Sequence, residues 1–422
     1  MCPTRIRAML MKKIIILLFA ACSPLLWAQT GIDKLPHEEV SGTLLICECG
    51  NSGKSVVYAE TYNGHFFYLN AFNSPSTKAS FDNQVFVKDI VYYNGYVYFC
   101  GTKDGARGVI GRFNTSSFFC GNGGYDYVEI QDMGPGFDCS IPVVEKLACY
   151  TDNGIDYVGF VAQHRIDAFP QPMHTVGCAW HNGQQWEVEY IYNKHQNEGF
   201  DDIAVTQNHV VTVGRSKMGD FDVWAWKKSD SFVRHWLAAN SLTIDTSSPT
   251  PLKNQLCAMH GDGFAVVTEK GLNLYTSWLE ISSGAIAYTN SSSDRFSGQD
   301  VQEVMYSGGM DSVLVQYNSL HVARVGSNIT IVIDDNHPKA HDFVVWNSSH
   351  YISVSRDLGD IYLEYVDLTA QSSCTPSGTR YPSSNDLVIN NKLSHETPIT
   401  PHLIPSSGNP NISSINTIAH CR

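Results

Sequence analysis

The sequence carries no local catalytic signature. It contains no G-x-S-x-G elbow to expose a serine nucleophile and no H-E-x-x-H pair to hold zinc on a helix face. No residue is assigned a catalytic role on this reading. Charge is sparse, at 16%, and basic residues are outnumbered 28 to 41 by acidic ones. A chain without a basic face does not bind phosphate backbones, so nucleic acid is excluded as a partner. No apolar run is long enough to cross a bilayer; the longest, Ile14 to Ala21, is too short. After residue 28 no stretch keeps a 3.6-residue apolar period, so helices are expected to be few.

What is present first is an export signal over residues 1–28. Arg5, Arg7, Lys12 and Lys13 form its positive end, Ile14 to Ala21 its apolar stretch, and Leu26-Trp27-Ala28 a cleavage site. The alternative is lipoprotein processing at Phe19-Ala20-Ala21-Cys22, in which Phe is a poor fit. The exported chain has a formal charge of −17, which favours solubility and cationic partners. It keeps ten cysteines. The even number permits disulfides, and Cys374 and Cys421 bracket the tail. Cys100, Cys149 and Cys257 sit in apolar strands and read as small buried hydrophobes.

A strand pair recurs along the chain. Inner strands begin near Ile90, Leu147, Ile203, Leu256, Val304 and Phe343. Each runs into a turn such as Asn94-Gly95, Asp152-Asn153-Gly154 or Gly261-Asp262-Gly263, whose residues supply positive φ for a hairpin. Second and third strands follow, and a fourth in five units, for example Trp186–Ile191. Leu44–Cys47, Val56–Glu60 and His65–Asn70 add a seventh unit. Tandem four-stranded units about forty to sixty residues apart indicate an all-β fold, a β-propeller of seven blades, with six and eight left open. The expected organisation is a signal peptide at 1–28, a linker at 29–43, the propeller at 44–369 and a Ser/Pro/Asn-rich tail at 370–422. The last unit lacks a fourth strand. Either Leu387-Val388-Ile389 or the N-terminal segment closes it. The expected state is a monomer.

The segment His209–Trp226, with Val213-Gly214 and Gly219-Asp220-Phe221-Asp222-Val223-Trp224, resembles the blade repeat of secreted bacterial seven-bladed propellers. Tyr96–Phe113, with Phe99-Cys100-Gly101, is a looser copy, and Ser355–Tyr362 is similar to a degenerate Asp-box turn. The resemblance implies extracytoplasmic binding or scaffolding rather than one chemistry.

In such a fold the first strand of each blade lines a channel, and the residue before it faces one mouth. These positions are Asp89, Lys146, Asp202, Gln255, Glu303 and Asp342, with Asp201 and His341 beside them. Four carboxylates in a ring suit a cationic ligand or a hard cation, so calcium is a possible cofactor. The competing reading is that strand ends are polar because they meet water. Asp334-Asp335-Asn336-His337 reads as a solvated turn, since no glutamate closes it as a calcium loop. Gly50 to Ser55 resembles a phosphate loop only at its end, and a strand follows it where a helix is needed. Trp278 is expected on a loop and the other strand tryptophans mostly in the core. Specificity is expected from loops near Ala162–Pro172 and Lys194–Gly199. The function read from these residues is a binding or scaffold module for a protein, peptide or glycan. The alternative is a hydrolase or lyase on a polysaccharide or peptide, with acid and base drawn from different blades.

Overall fold

The computed structural model describes residues 32–35, 42–48, 54–60, 65–69, 76–81, 85–119, 122–131, 139–166, 173–192, 199–215, 221–229, 236–240, 253–289, 292–298, 301, 303–306, 312–317, 321–326, 330–334, 340–347, 350–357, 360–367, 381–382, 388–390, 402–408, 411–415 and 418–420. The signal at 1–28, Cys22, Cys374, Cys421, Asp335 to His337 and loop residues 167–172 and 194–198 lie outside them.

Almost every described element is a strand. Strand β1 (Ile32–Leu35) stands alone in sequence. Sheet 1 holds β2 (Gly42–Glu48), β3 (Lys54–Glu60), β4 (His65–Leu69) and β5 (Ser76–Ser80). Sheet 2 holds β6 (Val85–Tyr93), β7 (Tyr96–Lys103), β8 (Arg107–Asn114) and β9 (Tyr125–Gln131), with the short helix α1 (Thr115–Phe118) between the last two. Sheet 3 holds β10 (Cys139–Asp152), β11 (Ile155–Ile166), β12 (Met173–His181) and β13 (Trp186–Tyr192). Sheet 4 holds β14 (Gly199–Val205), β15 (His209–Arg215), β16 (Phe221–Lys227) and β17 (Trp236–Asn240). Sheet 5 holds β18 (Lys253–Ala258), β19 (Gly263–Lys270), β20 (Asn273–Ser282), β21 (Ala285–Tyr288) and β22 (Ser292–Ser297). Sheet 6 holds β23 (Glu303–Tyr306), β24 (Ser312–Tyr317), β25 (His321–Gly326) and β26 (Thr330–Asp334). Sheet 7 holds β27 (Ala340–Asn347), β28 (His350–Asp357) and β29 (Asp360–Asp367).

The innermost strands close a circle. β2 touches β6, β6 touches β10, and the contacts continue through β14, β18, β23 and β27 back to β2. Each sheet is an antiparallel meander running outward from that circle, which is the β-propeller fold. The apolar clusters lie between consecutive sheets: Val57, Val87 and Phe99 join sheets 1 and 2, Cys100, Leu147 and Phe160 join 2 and 3, and Ile203, Val176 and Trp226 join 3 and 4. A strand inside a blade is therefore covered on both faces. That is why β7, β15 and β24 are nearly continuous apolar runs rather than alternating ones. The hairpin turns expected at Asn94-Gly95 and Asn153-Gly154 have φ of 47°, 83°, 49° and 78°, the left-handed pairs of a type I′ turn. Cys100, Cys149, Cys178 and Cys257 are free and buried.

The N-terminal segment, not the tail, closes sheet 7. β1 lies in the stretch read as a linker and pairs antiparallel with β29, Ile32 opposite Glu364. The tail instead adds outer strands. β30 (Tyr381–Pro382) joins sheet 5, β31 (Val388–Asn390) sheet 4, β32 (His402–Gly408) sheet 2, β33 (Asn411–Ile415) sheet 1 and β34 (Ile418–His420) sheet 7. The tail thus runs round the rim against the order of the blades and returns to sheet 7, where β34 pairs with β1.

Candidate functional site

The axial positions are set by a bulge. In sheets 2, 3, 4 and 7 the register slips immediately before Asp89, Lys146, Asp202 and Asp342. The extra residue in each is Lys88, Glu145, Asp201 or His341. In sheets 2 and 4 a glycine of the second strand stands beside the bulge, Gly101 opposite Val87 and Gly214 opposite Phe200. A β-carbon at either would collide with a main-chain carbonyl oxygen, of Phe86 or of Gly199. Asp89, Lys146, Asp202, Gln255 and Asp342 therefore lie inside their strands, and Glu303 is the first residue of its own. Asp202 and Gln255 are buried, 4% and 6% exposed, whereas the Lys146 and Glu303 side chains keep about a fifth of their surface in water.

The two described aspartates are used identically. Asp89 accepts from Ile90 N at 3.0 Å and from Leu147 N at 2.8 Å. Asp202 accepts from Ile203 N at 2.8 Å and from Leu256 N at 2.7 Å. One oxygen caps the residue's own bulge and the other takes the amide beside the ring residue of the next sheet, so each carboxylate latches one blade to another. Both latched pairs are fastened again at the turns. Asn94 Nδ2 donates to Asp156 at 2.9 Å, and Asn208 N and Nδ2 donate to Asp262 at 2.8 Å each. These bonds, with Thr206 and His209, hold the Asp262 carboxyl down at about 2 against its burial.

Lys146 reaches across the circle. Its Nζ lies 3.0 Å from Glu303 Oε2, joining sheet 3 to sheet 6, with both side chains about one-fifth exposed, 23% and 21%. Burial pushes Asp89 up to about 6 and Asp202 up to about 7; Lys146 draws both down and Glu303 raises both. Burial works against the Lys146 charge, but Glu303, Asp89 and Asp202 together outweigh it and hold the ammonium well above the usual lysine value. The axial cluster is thus three carboxylates around an internal cation. Gln255 is buried there with no bond to its Oε1 among the described residues. Asp342 shares the bulge, but its side chain lies outside those described. Among the described residues no three His, Cys, Asp or Glu side chains are grouped to hold a metal ion.

Asp201 does not join this cluster. It accepts from Asn254 Nδ2 at 2.8 Å and faces Arg215 Nε at 3.3 Å. Arg215 Nη2 lies 2.9 Å from His174 Nε2, and His174 Nδ1 4.0 Å from Glu145. This file spans sheets 3, 4 and 5. Sequence reasoning missed it because its members come from separate strands with no local spacing; their only common mark is that Glu145 and Asp201 are both bulge residues. A further buried carboxylate, Glu129, binds Lys103 and Arg107 within sheet 2. Trp278 corrects another expectation: it lies within β20, 4% exposed, in the seam between sheets 5 and 6.

No family model matches the sequence, and no curated protein matches it. Solved structures resemble it in shape. YCF48 from Cyanidioschyzon merolae is 9% identical, covering 80% of this chain and 98% of its own at a TM-score of 0.46. Apo AztD from Citrobacter koseri is 12% identical, covering 92% and 99% at 0.37. The Aleuria aurantia lectin, solved in complex with alpha-methyl-L-fucoside, is 10% identical, covering 70% and 96% at 0.41. The chain is a β-propeller, as its closed ring of antiparallel meander sheets shows.

Proposed function

We propose that the chain is an extracytoplasmic binding or scaffold module that presents its surface to a protein, peptide or glycan. One observation carries this reading: the axial groups are committed to one another. A general base or nucleophile must be turned toward substrate, and a main-chain amide on each oxygen turns a carboxylate toward the ring instead. The Asp89 and Asp202 oxygens accept main-chain amides of two sheets each, and Glu303 is paired with Lys146. Carboxylates within reach of one another in a pocket would favour chemistry; here the three axial carboxylates gather around Lys146, and their bonds to the main chain and to that lysine favour fastening. The outer surfaces are left for recognition. The export signal read at residues 1–28 supports an extracytoplasmic setting.

The test is a peptide and glycan array probed with residues 29–422, followed by incubation of each bound ligand. Saturable binding without product supports the reading. Release of product, abolished by Asp202→Asn, overturns it in favour of a hydrolase or lyase.

A further inference from the structure

Sheet 3 carries a row of side chains that the axis does not use. Tyr150 of β10, Tyr157 of β11, Trp180 of β12 and Glu187 of β13 stand directly opposite one another across all four strands. One face of the sheet is thus crossed by three rings that end in a carboxylate. Tyr150 and Tyr157 stack with centroids 5.2 Å apart, and Tyr157 and Trp180 tilt together at 5.7 Å. Tyr150 is buried in the seam with sheet 4; Tyr157 packs against the same seam but stays half-buried, as does Trp180.

The neighbouring rows add charge and apolar surface. Glu189 lies two residues along β13, on the same face as Glu187. Its carboxyl is pushed up by burial and by the Glu187 charge. Two residues along β10 from Tyr150, Asp152 stands opposite Ile155, one of two large hydrophobic residues more than a third exposed among those described. Asp152 and Glu187 accept only side-chain amides, from Asn153 and Asn182. No Lys or Arg pairs with Asp152, Glu187 or Glu189 among the described residues. The axis supplies its acids with Lys146; among the described residues this face supplies its acids with side-chain amides and no cation.

Partly exposed aromatic rings beside carboxylates with no Lys or Arg partner among the described residues suit an organic cation. The rings attract it through their quadrupoles and the acids through charge, in a place where water is partly excluded. A second copy of a chain with charge −17 would be repelled, and a neutral sugar would donate hydroxyls to the acids but leave their charge uncompensated. We infer that this face of sheet 3 docks a basic segment of a partner protein, with a Lys or Arg side chain laid over Tyr157 and Trp180 and its charge met by Glu187 and Glu189. The inference rests on the binding-module reading and gives it a partner class and a place.

The experiment is calorimetric titration of residues 29–422 with a hexalysine peptide, and with hexaglutamate as control. The parent, Trp180→Leu and the near-isosteric Glu187→Gln/Glu189→Gln variant are compared at two salt concentrations. We expect hexalysine alone to bind, more weakly at high salt, with Kd raised about tenfold in each variant. Absence of hexalysine binding, or equal affinity in all three proteins, overturns the inference. If Trp180→Leu loses the parent's circular dichroism, the Gln variant decides alone. Equal hexalysine affinity in all three proteins beside an array ligand that each of them binds would preserve the broader reading while removing this site; no ligand for any of them would remove both. A glycan lost in Trp180→Leu but kept in the Gln variant would assign the face to sugar and overturn the cationic partner.

Discussion

Lys146 of sheet 3 and Glu303 of sheet 6 meet across the circle, Nζ to Oε2 at 3.0 Å, and the charges of both reach the carboxyls of Asp89 and Asp202. Sheets on opposite sides of the ring are joined by one ion pair, and their neighbours by aspartate-to-amide bonds. The centre of the molecule is a fastening.

Asp202→Ala should destabilise the protein by about 2 kcal/mol, because it removes two charge-assisted bonds and strands the buried Leu256 amide. Asp89→Ala should act alike through Leu147. Asp202→Asn keeps one acceptor and should cost less. Denaturant titration measures all three, and an alanine variant as stable as the parent would refute the latch.

Stability should peak in mildly acid solution. Asp89 and Asp202 are raised from 3.8 to about 6 and about 7. Their contribution is complete below 3.8 and is lost as pH climbs through those values, since the unfolded carboxyls ionise first. Asp262, lowered to about 2, contributes above 3.8 and loses its share as pH falls. The melting temperature should therefore drop from pH 5 to pH 8, and the drop should shrink in Asp89→Asn/Asp202→Asn. A parent that melts higher at pH 8 would count against the burial of these groups.

Gly214→Ala should cost more than about 2 kcal/mol, because its β-carbon has no room beside the Gly199 carbonyl across the bulge. Gly177→Ala should be comparably harmful, since Gly177 lies under the ring of Phe160. Thermal unfolding of the two variants checks this; wild-type melting in Gly214→Ala would mean the bulge is not fixed as described.

Calcium should not raise the melting temperature. Lys146 already supplies the positive charge that the axial carboxylates need. A calcium-dependent rise that disappears in Asp202→Ala/Asp342→Ala would show instead that the ring holds the ion.

The propeller was legible because turn chemistry survives locally: Asn94-Gly95 and Asn153-Gly154 each announce a hairpin. The ring positions were legible as a recurring polar residue before an apolar run. Their depth was not, because the bulges at Lys88, Glu145 and Asp201 break the two-residue alternation and hide the strand that continues behind them. The rim strands were hidden for another reason. β32 contains Pro405, opposite Val128, which only an edge strand tolerates. Such strands are added through main-chain bonds and need no apolar pattern. The file from Glu145 to Asp201 left no trace because its partners meet only after three sheets are side by side.

The most direct test separates fastening from recognition. The affinity of an array-selected ligand and the melting temperature are measured together for the parent and for Lys146→Met. The account predicts an unchanged Kd, within about twofold, and a melting temperature lower by several degrees. A Kd raised tenfold or more at an unchanged melting temperature would contradict it and return the binding site to the axis.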